Sequence, residues 1–256
     1  MSGGLDPQGL LRPGWPTPPG IRCAVTTRAT PGISQGLHAR CNLGLRNGEP
    51  AETVRANRAL VRAALALPCE PLWLRQVHGR DVIDADAIEA GVEPQADAAI
   101  ARAPGRVLAV LTADCLPVLV VAADGSEIAA AHAGWRGLAV GVLEATIAAL
   151  RTPPARLMAW LGPCIGTGSY EVGVEVRGAF VDLDAGAAGA FMSTRPGHWA
   201  CDLAALARRR LLASGVTRIY GGDFDTRSDP RFYSHRRDPV ASGRFASLIW
   251  RDRARP

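Results

Sequence analysis

The sequence predicts an α+β protein, with one domain over residues 21–256 behind a flexible N-terminal segment at 1–20. A mixed β-sheet or sandwich is flanked by helices. Three observations carry that expectation. Short, β-branched-rich apolar runs alternate with amphipathic stretches, without a regular period or an internal repeat. Two of the runs, 118–122 and 128–132, flank Asp124-Gly125, a strong hairpin signal because both central residues of a type I′ turn need positive φ. No linker splits the chain after residue 20, and 256 residues suit one large domain.

In chain order, residues 1–20 are rich in Pro and Gly and lack the apolar core of a secretion signal. Residues 21–27 read as a strand. Residues 30–48 lack a sustained period and read as a loop, with His38 a bystander in it. Pro50 suits a first helical turn, and Val54, Leu60, Val61, Ala64 and Leu65 then trace one face of a helix over 51–66 that Pro68 ends. Residues 72–77 read as a strand delivering His78, and Val82-Ile83 begins another. Residues 107–111 form a short buried strand. Pro117 cannot donate to a ladder, so the chain around Asp114-Cys115 should be irregular or at a sheet edge. After the hairpin, residues 138–150 read as one helix with small residues on one side. Residues 157–161 form a strand, 182–190 a surface loop, and 203–213 a helix capped by Asp202 and stopped by Gly215. A strand at 216–220, a long loop at 221–243 and a closing strand at 245–250 complete the chain.

The hairpin serves as a ruler. With Asp124 and Gly125 as the loop, counting back along both arms sets Pro117 opposite His132. Cys115 lies two residues beyond Pro117 and points to the same face. Diagonal neighbours on one face are within side-chain reach. A thiol and an imidazole therefore meet at the hairpin's end, ahead of the Gly134–Gly137 turn. His78, also followed by Gly, is a third candidate. Two imidazoles and a thiolate suit zinc, and three protein ligands leave the fourth position open, as in a catalytic site.

Composition removes several classes of function. All 29 basic residues are Arg, which excludes Schiff-base chemistry and the Walker lysine and leaves anions to Arg, backbone N–H groups or metal. The net charge of +5 is modest and the basic residues are scattered, so no nucleic-acid partner is expected. No run reaches the length of a membrane span, so no membrane partner is expected either. The expected location is the cytoplasm, where the six cysteines should be free thiols. Five read as small core hydrophobes, and Cys115 is the exception.

Several blocks together resemble the YfiH family: WLRQVHG at 73–79, TADCLPVL at 112–119, AAHAGWRG at 130–137, WLGPCIG at 160–166 followed by YEVG, and SHRRDP with GRFASLIW near the end. That family is also known as a laccase or polyphenol oxidase domain and as purine nucleoside phosphorylase. The resemblance runs from about Thr26 to Trp250. It implies a YfiH-like α+β fold and a zinc site on His78, Cys115 and His132, the three residues reached above. It also implies phosphorolysis of adenosine, inosine, guanosine and methylthioadenosine, and deamination of adenosine. The block around Asn42 resembles one that places an asparagine beside the active site, and Gln76 falls in the His78 block. Asp97 falls where the family carries an acid. Asp97 and Asp114 are the candidate proton shuttles, and Arg46, Arg136 or Arg237 would bind phosphate. Laccase chemistry fails on ligand count, because a multicopper site needs many imidazoles and the chain has five His and no His-X-His pair. The alternative is a cysteine hydrolase or amidase with Cys115 as nucleophile and His132 as base. A zinc-stabilised binding module is a third reading.

Overall fold

The computed structural model describes residues 5–240 and 242–253. Its strands and α-helices run β1 (Ile21–Val25), α1 (Ala51–Ala64), β2 (Val82–Asp84), β3 (Ala98–Ala101), β4 (Val107–Thr112), β5 (Leu116–Ala122) and β6 (Ile128–Ala133). Then come α2 (Trp135–Ala139), α3 (Val142–Ala149), β7 (Leu157–Leu161), β8 (Glu171–Val172), α4 (Val174–Val181), β9 (Phe191–Arg195), β10 (His198–Cys201), α5 (Leu203–Ala213), β11 (Arg218–Gly221) and β12 (Phe245–Arg251).

The largest sheet has six strands in the order β11-β7-β5-β6-β3-β2. It is mixed, with β11–β7 and β2–β3 parallel and the other pairs antiparallel. A three-stranded sheet β1-β12-β4 packs on one of its faces. The period of two in strands builds the layers. Leu116, Val118 and Val120 of β5 join Leu138, Leu143, Ile147, Phe180 and Leu206 of the helices, while Leu119 and Val121 face Leu108, Val110, Phe245 and Ile249 between the sheets. Ala246, Leu248 and Trp250, on the far face of β12, pack with Val61 of α1. The order of layers is therefore helices, large sheet, small sheet, helix. Every residue of β5 is buried, which is why it reads as an unbroken apolar run. Each buried Val or Leu contributes about 1.5–3 kcal/mol.

The α+β class, the hairpin and the 203–213 helix agree with the sequence reading. Other elements differ. Residues 72–77 form no strand and make only single bridges, Leu72 to Leu108 and Arg75 to Gln95. The 138–150 helix is two helices, because Gly141 takes φ +93° between them. Leu60 is exposed, and Asn57 and Arg58 share the inner face of α1 with Val54 and Val61. The small sheet β8-β10-β9 was not foreseen. The 182–190 stretch holds a short 3-10 turn, Ala185–Ala190, with Ala187 and Ala190 buried. The N-terminal segment, expected to be flexible, packs Leu10, Leu11 and Trp15 into the core, and Leu11 bridges to Val25. No helix among the described residues is long and apolar enough to cross a membrane.

Candidate active site

His132 arrives on β6 opposite Pro117, as the hairpin count requires. The Pro117 carbonyl accepts the N–H of Gly162, just past the end of β7. Asp114 turns the chain at φ +87° and delivers Cys115 to the start of β5. Cys115 Sγ lies 3.7 Å from His78 Nε2. The His78 and His132 rings stand edge to face with centroids 4.7 Å apart. One ligand atom from each of His78, Cys115 and His132 falls within 4.8 Å of the others.

Asp97 holds this arrangement from beneath. It is fully buried and accepts the backbone N–H groups of Val77 (3.1 Å), His78 (2.9 Å) and Gly79 (2.7 Å). Those bonds offset the cost of His78 at φ +61°, about 1–2 kcal/mol for a residue with a Cβ. Asp97 Oδ1 also lies 2.8 Å from His132 Nδ1, which assigns the proton to Nδ1 and frees Nε2 as a ligand. The neighbouring glycines give the approach its room. A Cβ on Gly134 would sit 2.8 Å from His78 Cδ2 and 2.9 Å from Cys115 Sγ, and one on Gly137 would meet the Gly79 carbonyl at 2.9 Å.

Burial pushes the Cys115 thiol up, but the charge and hydrogen bonds of His132 and His78 outweigh it and bring the thiol down to about 6. Burial disfavours the His132 cation, while Cys115 and Asp97 raise it to about 9. Asp97 is penalised by burial yet held below the usual carboxylate range by His132 and the backbone donors. Buried Cys41 and half-buried Cys23, without imidazole partners, rise to about 12 by desolvation. Cys115 is thus set apart chemically as well as by position.

The three residues open into a cleft of about 430 Å³ that Arg46, Gln76, Thr112, Arg136, His235 and Arg244 also line. A cavity of about 500 Å³ beside Arg58 and Trp73 contains none of the triad, so donor geometry and not volume singles out the site. Arg46 and Arg136 line the cleft. Gln76 borders it, but its amide is tied to the Leu111 backbone by two 2.8 Å hydrogen bonds. Asn42 lies buried outside the cleft lining and braces the loop through Gly44, Asn47 and Arg244. Arg237 spends its guanidinium on Thr226, Arg227 and Phe232 carbonyls and on Asp238, so it does not line the cleft. Asp114 accepts Thr226 Oγ1 and the Arg236 N–H, each at 2.7 Å. Thr112, His235 and Arg244 also line the cleft; neither period nor spacing marks them, although each lies in one of the blocks that carry the family resemblance.

Fold and site together define an α+β protein with a His/Cys/His cluster at the end of a β-hairpin that could hold a metal ion. Residues 22–252 match the family described as multi-copper polyphenol oxidoreductase laccase, and the chain belongs to that family. It is 53% identical over 257 residues to the purine nucleoside phosphorylase of Xylella fastidiosa, covering 96% of this chain and 98% of the relative. It is 46% identical over 242 residues to purine nucleoside phosphorylase YfiH of Escherichia coli K12, covering 94% and 98%. The crystal structure of a Neisseria meningitidis protein superposes with a TM-score of 0.91 at 44% identity, over 96% of this chain and all of that one.

Proposed function

We propose that the protein is a zinc-dependent purine nucleoside phosphorylase of the cytoplasm. In this reading it acts on adenosine, inosine, guanosine and methylthioadenosine and also deaminates adenosine. The observation that carries the reading is the convergence of His78, Cys115 and His132 within 4.8 Å of one another at the cleft. Bonds of about 2.3 Å to sulfur and about 2.05 Å to nitrogen in a tetrahedral site put those two atoms roughly 3.6 Å apart. The 3.7 Å between Cys115 Sγ and His78 Nε2 suits such an ion. The Asp97–His132 pair is the carboxylate support that a metal-binding imidazole needs. Zinc bound there supplies a Lewis acid and an acidified water. The names of the relatives supply the substrate class.

In phosphorolysis a phosphate oxygen bonds to C1′ of the ribose while the glycosidic C–N bond breaks. The base leaves with the electron pair and takes up a proton. Without Lys, the anion must be met by Arg. Arg136 stacks on Trp135 at 4.4 Å, presenting a guanidinium at the cleft wall. Asp97 has its oxygens filled by four donors, which fits positioning His132 better than moving protons. Asp114 keeps spare acceptor capacity, but it does not line the cleft, so neither acid is placed to pass a proton directly to a ligand there. Copper oxidase chemistry is set aside on ligand count, with five His in the chain.

One observation favours a second reading. Cys115 at about 6, with His132 beside it and Asp97 orienting that imidazole, has the parts of a cysteine hydrolase. Metal analysis separates the two. One zinc per purified chain, lost in Cys115→Ala, is the expected result. Full zinc occupancy in Cys115→Ala overturns the assignment, and a metal-free enzyme that cleaves amides establishes the hydrolase.

A further inference from the structure

Arg244 stands immediately before β12, and Thr112 ends β4 opposite Phe245, the residue after Arg244. Both line the triad's cleft. Arg244 is half-buried. Its NH1 donates to the carbonyls of Ser242 (2.8 Å) and Gly243 (2.9 Å), and among the described residues no carboxylate pairs with it. Burial lowers it from the usual guanidinium range, and the negative charges of Cys115 and Asp114 work against that fall. Gly44 makes way for it, since a Cβ there would lie 2.7 Å from Arg244 Cγ. The Asn42 side chain fixes the backbone by accepting the Arg244 N–H at 2.8 Å. Thr112 is 1% exposed, and its hydroxyl has no hydrogen-bond partner.

A half-buried cation without an acid and a fully buried hydroxyl without a partner both carry an uncompensated desolvation cost. A tetrahedral oxyanion answers both, since its charge pairs with the guanidinium and its oxygens accept from guanidinium and hydroxyl. Among the described residues the Arg136 guanidinium has no hydrogen-bond partner, and it faces the same cleft. Arg46 differs, because Glu93 holds it at 3.6 Å.

We propose that Arg244 and Thr112 form the floor of an oxyanion subsite beside His78, Cys115 and His132 that takes inorganic phosphate, with Arg136 closing it from outside. The identity of the anion rests on the phosphorylase reading, whereas its binding can be measured without turnover.

The test titrates inorganic phosphate into zinc-loaded wild type, Arg244→Gln and Thr112→Val by calorimetry, and reads the phosphate KM of inosine cleavage in parallel. Loss of hydrogen bonds to a charged ligand predicts phosphate binding roughly tenfold or more weaker in Arg244→Gln, and about two- to tenfold weaker in Thr112→Val, with KM following Kd. Thr112→Val keeps the side-chain shape and carries the test should Arg244→Gln fail to fold. Equal phosphate affinity in wild type and the folded variants overturns the subsite, as does a wild type that binds no phosphate. Phosphate binding that falls with Arg244 or Thr112, without phosphate-dependent base release, upholds the subsite and sinks the phosphorylase reading.

Discussion

Asp97→Asn should weaken the fold and the metal centre together. The carboxylate receives His78 N–H and His132 Nδ1 on Oδ1, and the N–H groups of Val77 and Gly79 on Oδ2. Asparagine can keep the first pair on its carbonyl oxygen, but its NH2 then faces two further donors. Two bonds to a charged acceptor are lost at about 1.5–3 kcal/mol each, or about 3–6 kcal/mol together. That is a large share of the roughly 5–15 kcal/mol that holds a domain folded. The same change loosens the residues on either side of His78 by removing the Val77 and Gly79 bonds, and it leaves His132 with a neutral partner. Loss of such support typically costs about 10- to 100-fold in metal affinity. Urea unfolding of the metal-free protein reads the first effect, and zinc competition against a chromophoric chelator reads the second. Stability within about 1 kcal/mol of wild type, together with unchanged zinc affinity, would refute the idea that Asp97 organises the centre.

Three other outcomes follow from the geometry. Gly134→Ala should fold, since Gly134 has an ordinary φ of −63°, yet its Cβ would press on His78 and Cys115, so zinc should bind at least about tenfold more weakly; unchanged affinity in the chelator assay would contradict the close approach. In metal-free protein at pH 7, Cys115, held at about 6, should be alkylated before Cys23, Cys41 and Cys201, each raised to about 12, and zinc should protect it; mass spectrometry showing an equal or reversed order would sink the thiolate assignment. Glu127 is penalised by burial but held below its usual range by Arg151 N–H, Thr152 and Arg102, so its stabilisation is complete above the unfolded value near about 4.3 and is lost as pH falls toward its lower folded value. Glu127→Gln should therefore flatten the acid limb of stability against pH, and an unchanged limb would count against that role.

The hairpin was readable because the two-residue Asp124-Gly125 turn fixes the pairing register on its own, and that register carries Cys115 to the face of His132. His78 was readable as a candidate but not its delivery. The 72–77 stretch looks like a strand, yet the Gln76 side chain replaces ladder bonds to Leu111, a long-range substitution that pattern cannot reveal. Gln76 and Arg237 were reasonable as ligand-binding groups by type, and the fold spends both on backbone partners. Residues 138–150 carry one apolar face and read as a single helix, whereas the left-handed turn at Gly141 breaks it. Asp97 could be placed near the site only by resemblance, because its four donors come from a segment about twenty residues earlier and from the neighbouring strand. Arg244 and Thr112 stayed hidden because what marks them is burial without a partner, which exists only after folding.

In the proposed reaction the cleft, with zinc bound, transfers the ribosyl group of a nucleoside to phosphate and releases the base. The most direct test is base release from inosine by zinc-loaded protein with and without phosphate, with the sugar product identified by mass. The account predicts hypoxanthine and ribose 1-phosphate in equal amounts only when phosphate is present, and loss of both in Cys115→Ala. Hypoxanthine released equally fast in phosphate-free buffer, with free ribose as co-product, would make the protein a hydrolase and contradict the account.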